Sequence, residues 1–293
     1  MIRFEDVSIG HGGVVRCTRC PSVTDDEPSF RTAEDVVAEA SVVCGAWRSG
    51  AGPNIRLTGA EPFAHPELPR IVSGVIDAGC RRLALDTDAV AMRSETNARG
   101  ALMSGVRHLR YTLLAGTAGV HDALSGVPGL LEATREGVAS YRAVAAAEGS
   151  DVSVTGSIPV CRHNVTDLPS AAGVAVETGA DRVEVVIADG GIDLASAVPW
   201  ITAACDTGVV NGVWVEVAGV PFCVLPGYDL HLADAVRART GAKQPVCATC
   251  ALDALCGGAP AGASADQLAV LSPPKDALAL ARAVSRARAG EVR

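Results

Sequence analysis

Short runs of β-branched and apolar residues alternate along the chain with longer, Ala-rich stretches whose apolar positions recur at helical spacing. The short runs predict strands over residues 6–10, 54–59, 81–87, 108–115, 151–160 and 181–188. The longer stretches predict helices over 33–47, 68–78, 95–106, 129–148, 168–178 and 194–206. Helix ends carry their own marks. Asp167 and Asp193 stand at N-cap positions, Pro66 and Pro128 precede apolar runs, and Gly79, Gly149 and Gly179 stand where helices should stop. Six strand-then-helix units in succession predict an α/β fold whose parallel strands are joined by helical crossovers. A partial (β/α)6 barrel and a doubly wound sheet both satisfy that order.

After about residue 208 the pattern changes. A strand-like run over 213–220 leads into PFCVLPGY, a helical patch, a cysteine cluster and a stretch rich in Gly, Ala and Pro, and a last helix follows Pro274. The expected organisation is therefore a main domain over 1–208 and a small cysteine-rich extension over 209–293.

Composition narrows the function classes. A hydrophobic content of 48% supports a sizeable core and excludes global disorder. The formal charge of −8 argues against a nucleic-acid partner, since phosphate binding needs a basic footprint. Arg282, Arg286 and Arg288 read as the solvated face of the last helix. No apolar run reaches the roughly 18–20 residues of a membrane span, and the start MIRFEDVSIG lacks the apolar stretch of a signal peptide. A cytoplasmic protein with no membrane partner is the expectation. In that compartment ten cysteines, several in C-x-x-C spacing, suggest metal or cluster ligation more than disulfides.

Cys17 and Cys20 lie in the loop after the first strand. Alone, such a pair could be half a zinc site, a redox couple or two buried thiols. Cys247, Cys250 and Cys256 form C-x2-C-x5-C, and Cys223 follows the 213–220 run. Four cysteines so spaced point to a metal centre, for which a structural zinc site suffices. Cys44, Cys80, Cys161 and Cys205 fall on predicted elements and read as small core residues.

The stretch NIRLTGAEPFAHPELPRIVSGVIDAGCRRLALDTDA, residues 54–89, resembles the radical S-adenosylmethionine (SAM) enzymes. Their second strand ends in Gly-Gly-Glu-Pro, which here reads Gly59, Ala60, Glu61, Pro62. The later stretches VHDALSGVPGLLEATREG and VCRHNVTDLPSAAGVAVETGADRVEVV resemble the family too, and the likeness runs from about residue 5 to residue 260. It implies a partial barrel of radical SAM type. It also implies that Gly59, Ala60 and Glu61 receive the methionyl amino group of SAM, that Asp88 stands where many members have Asn, and that Asn164 lies near the SAM ribose. The family's cluster loop, C-x3-C-x2-C, supplies three thiolates to a [4Fe–4S] cluster and leaves one iron for SAM. One electron from that cluster then cleaves SAM to a 5′-deoxyadenosyl radical. Cys17 and Cys20 match the second and third ligands, and the first falls on Gly13, which has no side chain. His11 is two residues out of place for a substitute and reads better as a turn or surface histidine. The C-terminal cysteines resemble family extensions that hold an auxiliary [4Fe–4S] cluster. Pro260 stands where larger extensions place a further Cys, so the resemblance implies one such cluster, with zinc as the alternative.

Two functions follow. One is a degenerate, non-catalytic radical-SAM-fold protein: an accessory or substrate-binding partner of an active radical SAM enzyme that modifies a peptide or small metabolite. The other is an active radical SAM enzyme with a non-standard cluster ligand. The missing thiolate at Gly13 favours the first, and the retained Glu61, Cys17 and Cys20 favour the second.

Overall fold

The computed structural model describes residues 4–12, 29–47, 52–187, 191–232, 241–260, 262–264, 268–269 and 271–289. The strands are β1 (Glu5–Gly12), β2 (Ser29–Phe30), β3 (Asn54–Ala60), β4 (Arg82–Thr87), β5 (Val106–Thr112), β6 (Ser153–Pro159), β7 (Arg182–Val186) and β8 (Trp214–Ala218). The helices are α1 (Ala33–Ala46), α2 (Leu68–Asp77), α3 (Glu95–Met103), α4 (Ala118–Ser125), α5 (Leu130–Ala147), α6 (Leu168–Glu177), α7 (Leu194–Val210) and α8 (Ala277–Ala289). The strands follow the order β2-β1-β3-β4-β5-β6-β7-β8 in an open sheet. The pairs β1–β3, β3–β4, β4–β5 and β7–β8 are parallel, and the short β2 is antiparallel to β1. The alternation in the sequence thus delivers the expected α/β architecture.

Contacts divide the chain into two compact units. The first comprises Met1–Leu113, Ala118–Gly156 and Glu177–Asp181. Val7, Ile9, Ile55, Leu57, Leu83, Leu85 and Leu109 make one face of its strands apolar, and all are buried. Charges within this sheet are paired across adjacent strands. Arg56 forks onto Asp6 at 2.7 and 2.9 Å, and Arg110 meets Asp86 at 2.9 Å. The second unit comprises Leu114–Thr117, Ser157–Val176 and Arg182–Arg293. Val183, Val185, Val215 and Val217 form its strand core, covered by Leu194, Ile201 and Ala204 of α7.

Several expected boundaries move, each for a visible reason. Helix α3 stops at Met103, short of the expected 106, because Gly105 turns at φ +92° and Val106 already pairs with Leu83. Helix α7 runs to Val210 rather than 206. Inside it, a Cβ on Gly208 would lie 2.3 Å from Val215 Cγ2, so this glycine serves close helix–strand packing. Asp193 caps α7 as expected, accepting from the Ala195 and Ser196 amides. Asp167 does not cap α6. Its carboxylate instead accepts from the amides of Gly116 at 2.6 Å and Thr117 at 3.2 Å. Helix α4 and strand β2 carry too few periodic positions to show in the sequence. Arg282 and Arg286 are exposed on α8. Among the described residues no helix is long and apolar enough to cross a membrane.

Candidate functional site

In the first unit the chain leaves β3 through Gly59, Ala60 and Glu61. Gly59 adopts φ +96°, and a Cβ there would stand 2.2 Å from the Gly10 carbonyl oxygen of β1. Only glycine allows the two strand ends so close. Ala60 is fully buried, which leaves room for its methyl group in place of the hydrogen of a second glycine. Glu61 then turns inward, at 8% exposure. Its carboxylate accepts from the Phe63 amide at 3.2 Å, capping the short 3-10 turn Pro62–Ala64. It also accepts from the Asp88 amide at 2.9 Å and from the Thr87 hydroxyl, 2.7 Å from Oε1 and 2.9 Å from Oε2.

Thr87 ends β4, fully buried, and its Oγ1 accepts from the Ala89 amide at 3.0 Å. Its one hydroxyl proton is therefore committed to Glu61. Asp88 Oδ1 accepts from the Val90 amide at 2.9 Å, and its carbonyl accepts from Thr134 of α5 at 2.9 Å. Burial, then the neighbouring Asp88 charge, push Glu61 up to about 7 against its three hydrogen bonds. Burial raises Asp88 as well. The three sequence-predicted residues of this segment and Asp88 are thus brought together, and Thr87 joins them. The sequence marks Thr87 only as the first residue of the Thr87-Asp88-Ala89 run, with no sign of its contact to Glu61.

His11 lies exposed on β1 with its ring 2.8 Å from the Ser29 hydroxyl, the surface reading of that residue. His65, buried in the turn after Glu61, is used on both ring nitrogens. Nε2 meets the Arg31 carbonyl at 2.8 Å, and Nδ1 accepts from the Glu67 amide at 3.0 Å. Gly13, Cys17 and Cys20 lie outside the described residues.

The second unit holds two further sets of predicted residues. Asn164 is 1% exposed, and its amide is fully engaged in the loop after β6. Oδ1 accepts from the Cys161 amide at 2.7 Å, and Nδ2 donates to the Leu114 and Pro159 carbonyls at 2.7 and 2.8 Å. Cys223, Cys247, Cys250 and Cys256 line one small cavity of about 30 Å³, with Phe222, Leu252 and Leu271 among its apolar walls. Cys223 rides the short turn after Pro221. Cys247 and Cys250 belong to the turn Pro245–Thr249 and its cap, closed by a bond from the Cys250 amide to the Cys247 carbonyl at 2.9 Å. The segment is held by the Ala242–Ala259 bridge, where a Cβ on Gly241 would stand 2.2 Å from the Gly257 oxygen. Lys243 and Asp253 at the cavity bind each other at 2.8 Å.

Burial is the main cause that raises the Cys223 thiol, and the nearby Cys256 and Cys247 add to it, while a bond from the Ser272 backbone opposes them. All four thiols are half-buried and unbridged. Among the described residues no three His, Cys, Asp or Glu side chains gather tightly enough to hold a single metal ion, so the thiols line the cavity without closing on one point. Of the other cysteines, Cys161 and Cys205 are buried as expected, and Cys44 and Cys80 are half-buried.

No family model matches the chain, and no curated protein matches it. Solved structures do. SuiB from Streptococcus suis bound to S-adenosylmethionine superposes with a TM-score of 0.58 at 13% identity, covering 77% of this chain and 53% of SuiB. SuiB bound to its precursor peptide SuiA gives 0.56 at 12% identity, covering 74% and 48%. Native anSMEcpe with bound AdoMet gives 0.53 at 10% identity, covering 72% and 63%. This likeness is one of fold. The chain has the α/β fold of the radical SAM type, an open and mostly parallel sheet, and spans about half the length of the SuiB chains it matches.

Proposed function

We propose that this chain is a degenerate radical-SAM-fold protein. It binds one auxiliary [4Fe–4S] cluster through Cys223, Cys247, Cys250 and Cys256, and serves as accessory or substrate-binding partner to an active radical SAM enzyme that modifies a peptide or small metabolite. The convergence of those four thiols on one apolar-walled cavity carries the reading. The donor set fits the cluster: four sulfurs, an N–H directed at Cys223, and a lone carboxylate, Asp253, tied to Lys243. A zinc ion needs all four sulfurs within about 2.3 Å of one point, whereas each cubane thiolate binds its own iron. Four separate thiols around one cavity suit a pattern of one thiolate per iron. When bound, such a cluster supplies one-electron redox capacity and cross-links the extension. The protein's part is to hold the thiolates and keep the cavity dry through Phe222, Leu252 and Leu271.

A peptide substrate is supported by the fold shared with SuiB, whose structure holds its precursor peptide. Glu61 keeps a seat suited to the ammonium of SAM, with Gly59 and Ala60 leading into it. That seat, with the retained Cys17 and Cys20, favours the second reading, an active enzyme with a non-standard cluster ligand.

Iron and sulfide analysis after anaerobic reconstitution tests the proposal. About four irons per chain are expected, most of them lost in Cys250→Ala and few in Cys17→Ala. One zinc and no sulfide would show the extension to be purely structural.

A further inference from the structure

Besides the thiols, the cavity around Cys223, Cys247, Cys250 and Cys256 has two ionisable side chains on its wall, Lys243 and Asp253, and no others among the described residues. They bind each other. Lys243 Nζ donates to Asp253 Oδ1 at 2.8 Å and to the Asp253 main-chain carbonyl at 2.9 Å. The two residues flank the segment that carries Cys247 and Cys250. One lysine side chain therefore closes that segment a second time, inside the closure made by the Ala242–Ala259 bridge.

As a contribution to folding such a pair counts for little, because both side chains keep contact with water, at 30% and 43% exposure. Its position sets it apart. The rest of the wall is apolar, with Phe222, Leu252 and Leu271 all buried, and a charge beside such a surface acts over a longer range than one in open water. The backbone holds the pair there. The Cys247 amide bonds the Gln244 carbonyl and the Cys250 amide the Cys247 carbonyl, both at 2.9 Å. The Asp253 amide bonds the Cys250 carbonyl at 3.0 Å. Successive turns thus fix Asp253 relative to both cysteines, and Lys243 is fixed to Asp253.

On the reading that the four thiolates hold a [4Fe–4S] cluster, we infer that the Lys243–Asp253 pair sets its reduction potential. Reduction by one electron from an external donor adds one negative charge at the cavity. An uncancelled Asp253 carboxylate opposes that charge, and an uncancelled Lys243 ammonium favours it. Bound to each other, the two nearly cancel. Lys243 is then a tuning residue that acts by neutralising Asp253, and neither side chain is a ligand.

The test is spectroelectrochemical titration of the reconstituted full chain, with dithionite as reductant, in the parent, Lys243→Met, Asp253→Asn and the double variant. Lys243→Met leaves the Asp253 charge uncancelled and should lower the potential. Asp253→Asn leaves the Lys243 charge and should raise it. Each shift should be about tenfold in the oxidised-to-reduced ratio, equivalent to about 59 mV for a one-electron couple. Both shifts should shrink as salt is raised, and the double variant should return close to the parent. Both substitutions nearly preserve shape at solvent-contacting side chains, so the variants should fold. A tie that is only structural predicts something else: both single variants loosen the same segment, so their potentials move in the same direction. That result, or no shift in either variant, overturns the inference and leaves the cluster reading intact, because a titrating couple and about four irons per chain remain. One zinc, no sulfide and no couple in any of these proteins would sink the cluster reading, and the inference with it.

Discussion

Gly59→Ala should be among the most damaging small substitutions in the first unit. The residue stands at φ +96°, where an L side chain costs roughly 1–2 kcal/mol. The added Cβ would also lie 2.2 Å from the Gly10 carbonyl oxygen and 2.8 Å from Ser8 Oγ. Ser8 can rotate away. The Gly10 carbonyl cannot, because β1 is paired with β3 on one side and with β2 on the other, Gly10 itself opposite Phe30. Relief therefore requires separating two strand ends, and a total cost of about 3 kcal/mol is expected when conformational strain and lost pairing are combined. Domains of this size are stable by only about 5–15 kcal/mol. The assay is equilibrium urea unfolding followed by far-UV circular dichroism, with Gly149→Ala as control. That glycine also has positive φ, +61°, but a Cβ there would meet nothing within 4 Å. The control should lose only the conformational part. A Gly59→Ala midpoint that equals the control's would show that the close approach to β1 is not what the glycine serves.

Two further outcomes are expected. The isolated chain, mixed with SAM and a strong reductant, should form no 5′-deoxyadenosine above background, and clear turnover measured by liquid chromatography would make the active-enzyme reading primary. His121 is fully buried with no hydrogen bond to either ring nitrogen among the described residues, Asp122 standing 3.7 Å off, and burial lowers its pKa. The unfolded chain therefore takes up the proton first, near pH 6.5. Stability is intact above that pH and declines as pH falls through it, so His121→Leu should shallow the acid limb of a stability–pH curve, and an unchanged limb would refute the assignment.

The sequence showed the fold more fully than the site. Strand–helix alternation survives in nearly every boundary because short β-branched strands and longer amphipathic helices differ plainly in period and length. What escaped was decided by tertiary contact. The expected end of α7 at 206 fell short, and nothing in one dimension says that Val215 will press against Gly208 further along that helix. Asp167 looks like an N-cap because an acid before an apolar run usually is one, yet Gly116 and Thr117, some fifty positions earlier, present amides that take its carboxylate. Thr87 is marked only as the start of the Thr87-Asp88-Ala89 run: its role follows from standing opposite Glu61, and strand register is not written in the residue. The four C-terminal cysteines were legible from spacing alone, since thiols in C-x2-C-x5-C seldom gather for packing reasons.

That contrast also bears on how each retained residue should be weighed. Glu61 caps a turn and joins β3 to the Thr87–Asp88 loop; Asn164 ties three backbone groups; Gly59 permits two strand ends to meet. Each would be kept by a chain that needed only the fold, because losing a buried polar residue of this kind leaves several backbone groups unpaired at about 1–3 kcal/mol apiece. Their presence therefore does not by itself require SAM. The C-terminal thiols differ. They are half-buried, unbridged and set around a cavity, and raising a thiol by burial beside other thiols offers the fold nothing. Small apolar side chains would pack that space better. A feature that costs packing and offers no stability in the free protein is explained by what it binds, which is why the proposed function rests on Cys223, Cys247, Cys250 and Cys256.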